Sequence, residues 1–412
     1  MKNNINLIKG THDLVGPDII KYNYILDNFK NICNQFSFKE IITPIIEQED
    51  LYVRGVGEMT DIVSKEMYTF LDQGDKKICL RPEATSGIAR FAASNYESGA
   101  MKLFTYGPMF RRERPQKGRY RQFNQLNIEI IGDKNPYADF EVIFIASRLL
   151  ESIGLKNKFK LLINSIGTKD DQINYSKALY EFLKLKKNKL SEISQQRLEK
   201  NTLRILDSKD INDQLIIKEA PKLKDYLSNS SLDFYQNVKN LLSSHGIGYI
   251  EDELLVRGLD YYTHTAFEFQ MFEDKRQNTI LAGGRYDELI SMISSRDIPG
   301  IGWAAGVERL IDLISTPTLA KNKKVLIAVQ DTSYVAKFKL INHISKIDVI
   351  FEVKSGHNIK KFFTYADKNE FDYILLVGDQ EFHNSSIIIK NLKSKEQKIL
   401  SIKDLDLSNE IR

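Results

Sequence analysis

The sequence predicts an α+β protein: an antiparallel-sheet core flanked by helices, a helical insertion within it, and a small α/β module at the C-terminal end. Three observations carry that expectation. Lys102 to Phe110 and Arg121 to Ile131 are strand-like runs flanking a polar segment, which reads as an antiparallel hairpin. From about Thr168 to Ile250, Lys, Glu, Asn, Ser and Leu dominate, with Leu179, Phe182 and Leu183 at helical spacing. Beyond that, Val325–Val329, Val349–Val353 and Tyr373–Val377 are short apolar strands separated by helical patterns.

Length and composition agree with this division. A chain of 412 residues is too long for one ordinary domain, and 42% hydrophobic against 28% charged residues excludes wholesale disorder. Only 9 prolines and 22 glycines exclude collagen-like repeats. No apolar run approaches the roughly 18 residues a membrane span needs, so no membrane partner is expected. Met1 to Gly10 lacks an apolar targeting core, and Cys33 and Cys79 match no metal-ligand spacing. Reduced cysteines and a cytoplasmic location are the expectation. The net charge of +4 is too small to imply a nucleic-acid partner by itself, although Lys321 to Arg412 holds 16 Lys and Arg against 12 Asp and Glu.

Taken in order, Asp18 to Phe36 carries Ile25, Phe29 and Ile32 at helical spacing. Phe38 to Ile46 reads as a buried strand interrupted at Pro44, whose missing donor places it at a sheet edge or beside a subunit interface. Leu80 to Gly87 (LRPEATSG) puts Glu83 and Thr85 at a helix start, where capping is the commoner explanation. The segment Ser315 to Lys324, with two prolines followed by lysines, reads as a linker.

The chemistry concentrates in four places. Arg111, Arg112, Arg114, Lys117, Arg119 and Arg121 crowd one loop against a single acid, Glu113. Such crowding costs repulsion unless an anion arrives, and guanidinium forks suit phosphate oxygens; the plainer alternative is a solvated hairpin tip. In the following strand Leu126, Ile128 and Ile130 share one face, leaving Gln125, Asn127 and Glu129 on the other. An amide and a carboxylate side by side suit an amine or cationic ligand, although any half-exposed strand alternates in this way. In LVRGLDYYTHTAFEF (Leu255 to Phe269), Arg257 enters a tyrosine-rich strand and is either paired with Asp260 or aimed at an anion. Finally, AGGRYDEL (Ala282 to Leu289) and GIGWAAGVERLIDLI (Gly300 to Ile314) place glycines ahead of a helix. Val307, Leu310, Ile311 and Ile314 form that helix's buried stripe, which turns Glu308 and Arg309 away from it. Six scattered histidines show no ligand spacing, and neither a P-loop nor a nucleophile elbow is present.

In this order the segments resemble a class II aminoacyl-tRNA synthetase, specifically the histidyl-tRNA synthetase family, over essentially the whole chain. The strand with Pro44 is similar to the family's first motif at the dimer interface, Phe110 to Glu129 to the second, and Gly302 to Leu310 to the third. LVRGLDYY and AGGRYDEL carry the histidine-specific signal. KGTHDL departs at His12, where relatives commonly carry another, often basic, residue; Thr263–His264 is a second variable spot.

The resemblance implies a division into a catalytic core (1–167 and 251–316), a helical insertion (168–250) and an anticodon-binding α/β domain (322–412). It implies ATP as a substrate accompanied by Mg²⁺ with no tightly bound protein metal, and L-histidine, the tRNA for histidine and a second copy of the chain as partners. Arg111 and Arg309 would hold ATP phosphates, with Glu113 and Arg119 helping to seat the nucleotide. Glu83, Thr85 and Gln125 would bind the α-amino group. Glu129 and Tyr262 would hydrogen-bond the imidazole, with Tyr261 and Tyr286 shaping its pocket. Arg257 would sit between the histidine carboxylate and the α-phosphate, the catalytic position it shares with Arg111. Two rivals stand beside this: a non-catalytic, synthetase-like regulatory subunit of histidine biosynthesis, and another class II synthetase.

Overall fold

The computed structural model describes residues 5–57, 60–116, 118–256, 261–272, 279–317, 323–330, 344, 347, 349–401, 407 and 410–411. By internal contacts the chain divides into two compact units, 1–317 and 318–412.

The first unit opens with helix α1 (Pro17–Gln35), whose first-turn proline needs no donor there and which buries Ile25, Phe29, Ile32 and Cys33. Its strands follow as β1 (Lys39–Glu40), β2 (Ile46–Gln48), β3 (Tyr68–Leu71), β4 (Lys77–Leu80), β5 (Met101–Phe110), β6 (Gln122–Ile131) and β7 (Phe159–Ser165), then β8 (Ile250–Glu251), β9 (Thr263–Met271), β10 (Thr279–Arg285) and β11 (Gly300–Gly306). Eight of them make one sheet in the order β1-β5-β6-β11-β10-β9-β7-β8. The six central strands are antiparallel, and β1 and β8 join the two edges in parallel. A small antiparallel sheet, β2-β4-β3, lies apart from it, with the short helix α2 (Glu49–Tyr52) following β2.

The expected hairpin is β5 and β6, paired from Met101↔Ile131 to Phe110↔Gln122. The buried strand expected over Phe38 to Ile46 does not form. Residues 41–45 belong to no strand, Ile42 is 81% exposed, and the flanking β1 and β2 join different sheets. Pro44 cannot donate to a ladder, so pairing stops there. The edge placement does hold, because β1 is the outermost strand beside β5.

One face of the large sheet is apolar: Leu126, Ile128, Ile130, Phe267, Phe269 and Trp303 pack in one core with α1 and with α4 (Pro136–Leu150). The other face carries α3 (Thr85–Asn95), whose Ile88 and Ala89 meet Leu103, Met109 and Ile131. Strand alternation therefore sends the polar set of β6 toward α3.

Four α-helices lie between β7 and β8: α5 (Lys169–Lys184), α6 (Glu192–Lys200), α7 (Ile211–Ile217) and α8 (Asn229–Ser244). Buried carboxylates tie them. Asp171 accepts from Ser228 N and Ser231 Oγ, joining the starts of α5 and α8. Asp213 accepts from the hydroxyls of Ser191, Ser194 and Ser208. Between β10 and β11 lies the short α9 (Leu289–Ile293), and β11 runs straight into α10 (Val307–Leu313).

The second unit contains β12 (Lys324–Val329), β13 (Ile350–Ser355), β14 (Tyr373–Val377), β15 (Ser386–Asn391) and β16 (Gln397–Ser401). Strand β12 lies between parallel partners β13 and β14, and β15 and β16 extend the sheet antiparallel. A helix at Ile359–Lys368 supplies one of the alternating segments expected there.

Candidate active site

Glu129 sits in β6 opposite Gly302 of β11, and its carboxylate lies across that glycine. A Cβ at position 302 would come 1.7 Å from Glu129 Oε2, so only glycine leaves room for the acid. Gly300 does the same for Tyr286, whose ring would be 2.2 Å from an added Cβ. Thr85 Oγ1 donates to Glu129 Oε1 at 2.7 Å, and the Tyr286 hydroxyl donates to Oε2 at 2.6 Å. The residue is 1% exposed, and burial pushes its carboxyl up to about 8 against the pull of those two hydrogen bonds. Each oxygen of such an acid retains a lone pair that can accept a further N–H.

Glu83 stands at the start of α3, where Oε2 accepts from Thr85 N at 2.7 Å and Oε1 from Ser86 N at 2.9 Å. Capping and cavity lining thus coincide in one side chain. Tyr261, Tyr262 and Tyr286 close the pocket: the Tyr261 ring is 4.7 Å from Tyr262 and 5.8 Å from Tyr286. Burial raises the Tyr261 and Tyr286 hydroxyls well above their ordinary values, which keeps them neutral donors. Gln125 Oε1 is buried with no hydrogen-bond partner among the described atoms, and Gln125 lines the same cavity.

The basic loop divides in two. Arg112 and Arg114 are exposed, whereas Arg111 and Arg119 are partly buried and share Glu113, at 3.9 Å and 3.2 Å. Arg111 Nε also donates to Pro82 O at 2.8 Å, and its guanidinium lies 5.3 Å from the centre of the Phe123 ring. These arginines are therefore not a solvated tip. Arg309 Nε donates to Gly118 O at 3.4 Å, which joins α10 to that loop. Lys117 lies outside the described residues.

Apart from the exposed Arg112 and Arg114, the site residues described here line one cavity of about 270 Å³. On one side it is lined by Glu83, Thr85, Gln125, Glu129 and the three tyrosines, and on the other by Arg111, Glu113, Arg119 and Arg309. A wider cavity of about 1030 Å³ opens between the core and α5–α6, sharing Arg111, Tyr262 and Glu268 with it. Arg257, the nominated catalytic cation, lies outside the described residues, as does Asp260.

One expectation fails. Glu308 is not turned away from the core: it is 6% exposed, and its carboxylate accepts from Asn124 N and Nδ2 at 2.9 Å. In a helix of only seven residues next to β6, a flank can be as buried as the apolar stripe.

Sequence reasoning also passed over Arg81 and Arg285. Arg81 donates to Pro108 O and Thr43 O, both at 3.0 Å, bracing the base of the hairpin. Arg285, within AGGRYDEL, is fully buried and pairs with Asp139 of α4 and with Asp287. Its partner Asp139 is 146 residues away in the chain, so no local pattern announces the pair.

Residues 10–310 match the family model described as histidyl-tRNA synthetase, and residues 324–406 match that of an anticodon binding domain. A histidine–tRNA ligase of Thermosynechococcus vestitus is 41% identical over 407 residues, spanning 96% of this chain and 94% of that protein. One from Cyanothece sp. is 40% identical, spanning 99% and 97%. The crystal structure of apo S. aureus histidyl-tRNA synthetase superposes with a TM-score of 0.80 at 32% identity, covering 99% of this chain and 100% of that one.

Proposed function

The chain belongs to the histidyl-tRNA synthetase family, and from that premise we propose how its residues divide the reaction. It is a histidine–tRNA ligase: with ATP it forms histidyl-adenylate and diphosphate, then passes histidine to the 3′-terminal ribose of its tRNA.

Histidine enters with its imidazole toward Glu129. The observation that carries this reading is a buried carboxylate, bracketed by two hydroxyls and enclosed by tyrosines. An imidazole N–H donates to Glu129 and the Tyr262 hydroxyl serves the other ring nitrogen, while Tyr261 and Tyr286 give the pocket its shape. The α-amino group donates to Glu83, Gln125 and the lone pairs of the Thr85 hydroxyl, whose own proton is committed to Glu129.

Arg111 takes the α-phosphate and Arg309 the γ-phosphate, with Glu113 and Arg119 seating the nucleotide. Mg²⁺ arrives as part of the ATP substrate and draws charge from the departing diphosphate. Glu113 and Glu268 line the cavity, and one or two carboxylates beside phosphates suffice for that ion. The role assigned to Arg257 is to offset the repulsion between two anions, the histidine carboxylate and the α-phosphate. A carboxylate oxygen attacks the α-phosphorus and the bond to the bridging β-phosphate oxygen breaks. In the second step the ribose hydroxyl attacks the acyl carbon, AMP leaves, and the hydroxyl proton is released. A fixed cation serves both the approach and the charge that builds in the transition state.

Residues 1–167 and 251–316 form the catalytic core in this reading, 168–250 the insertion, and 322–412 the module that reads the anticodon. The loop carrying Arg114 to Arg121 reaches for the acceptor end of the tRNA. Two copies work together in the cytoplasm, joined beside Pro44. Pyrophosphate exchange into ATP, measured with each amino acid alone, tests the whole: exchange is expected with histidine only. Exchange driven by another amino acid overturns the specificity, and none at all favours a regulatory protein.

A further inference from the structure

The segment Gly10–His12 lies outside the cavity, yet it touches the loop that the proposed reaction depends on. Gly10 O accepts from Arg121 N at 2.7 Å, immediately beyond the hydrogen bond from Arg111 N to Arg121 O at 2.9 Å that closes the loop's base. Gly10 adopts φ +90, and a Cβ there would lie 2.9 Å from Arg121 Cγ and from Pro115 Cγ. Its backbone is thus pressed into the loop in a conformation that favours glycine. Two residues on, the His12 ring stacks on Tyr120 with centroids 4.2 Å apart and planes tilted by 34°. Tyr120 lines the cavity beside Arg119 and Arg309.

We propose that His12 is a positioning residue for ATP: its ring holds Tyr120, and through Tyr120 the exit of the arginine loop, in the geometry that aims Arg119 at the nucleotide. The inference rests on the assignment of that loop to ATP given above. Without the ring contact, the loop exit would keep the Gly10–Arg121 and Arg111–Arg121 backbone hydrogen bonds and the Arg309 Nε–Gly118 O contact, none of which holds the Tyr120 ring. The loop's entry is tied elsewhere, by Arg112 N donating to Glu66 O at 2.6 Å. Loss of the ring therefore loosens the Arg119 side selectively and leaves Arg111 and the histidine pocket in place.

The test compares His12→Ala and His12→Phe with the wild type in histidine-dependent pyrophosphate exchange. An aromatic contact of this kind is worth a factor of about three to ten, so His12→Ala should raise the KM for ATP by about that much. The KM for histidine and the melting temperature should stay unchanged. His12→Phe, which keeps a ring, should restore the ATP KM. Trypsin supplies a readout that needs no catalysis: His12→Ala should be cut faster within residues 111–121, and His12→Phe at the wild-type rate. An unchanged ATP KM with unchanged cleavage overturns the proposal. So does a joint rise in both KM values with a fall in melting temperature, which would mark a merely structural role. If the wild type shows no exchange, the functional assignment fails by itself, and equal cleavage of wild type and His12→Ala then overturns the clamp separately.

Discussion

Glu129 concentrates the energetics of the proposed histidine pocket, because burial favours its protonated form whereas the proposed imidazole contact favours its carboxylate. Its carboxyl is pushed up to about 8 from the value near 4.5 it has when the chain is unfolded. Between those two values the folded protein binds one proton more than the unfolded chain, so this group's contribution to stability falls as pH rises from about 4.5 to about 8. Glu129→Gln removes that titration. Thermal unfolding of the ligand-free variant should therefore lose less stability than the wild type between those limits, and parallel curves would refute the assignment. The same variant should lose histidine-dependent exchange by about 10²-fold or more at saturating ATP, since the amide loses the charge that strengthens the imidazole hydrogen bond and turns an NH2 toward a hydroxyl donor, Thr85 or Tyr286. Strand alternation alone placed Glu129 on the polar face of its strand. What it could not supply was Thr85 and Tyr286, 44 and 157 residues away, which close on its two oxygens. Those contacts arise from sheet order, to which a local pattern is blind.

At the level of elements, the long antiparallel hairpin was legible because apolar and polar letters alternate from Leu126 to Ile130 in a ten-residue strand, although Gln125 to Ile131 are all buried. Shorter pieces were not. Around Pro44 the apolar letters outnumber the hydrogen bonds available, and the expected strand breaks into fragments of two and three residues. Val307, Leu310, Ile311 and Ile314 are buried in one core as the helical stripe predicts, but Glu308, expected to turn away from it, holds the start of β6 through Asn124. Burial raises the Glu308 carboxyl while those Asn124 bonds lower it. Glu308→Ala would leave the Asn124 amide donors buried and unpaired, at a cost of about 1–3 kcal/mol, measurable as a lower urea midpoint. Its near neighbour should behave differently. Arg309→Ala should raise the ATP KM by about tenfold or more with little change in that midpoint, because losing a charge-assisted contact to phosphate weakens binding, not folding. Equal loss of stability in both variants would show that α10 acts only as a strut.

On the scale of the whole molecule, the division into units at 317 and 318 falls inside the segment that its prolines and lysines mark as a linker. A composition shift is visible in sequence, whereas the mixed parallel and antiparallel order of the last sheet is not, because β15 and β16 carry the same apolar letters that a parallel strand would. The edge of the first unit poses a different question. Ile42, Ile45 and Ile46 are 81%, 41% and 52% exposed around Pro44, an apolar strip that a lone chain would leave in water. A second copy covering it is expected, so Ile42→Asp with Ile45→Asp should convert a dimer to a monomer in sedimentation; two identical monomer profiles would remove the pairing from the proposal. The proposed function also gives the two units separable tasks. The cavity with its acids, tyrosines and arginines lies wholly within 1–317, and the part matching an anticodon binding domain lies wholly beyond it. In the proposed reading, adenylate formation needs only the first, while charging needs the tRNA held at a second place, where two linked contacts multiply each other's affinity. A chain ending at Pro317 should keep histidine-dependent exchange near the full-length rate and raise the KM for tRNA by about 10²-fold in charging. Full charging by the shortened chain would deny the last module any part in reading the tRNA.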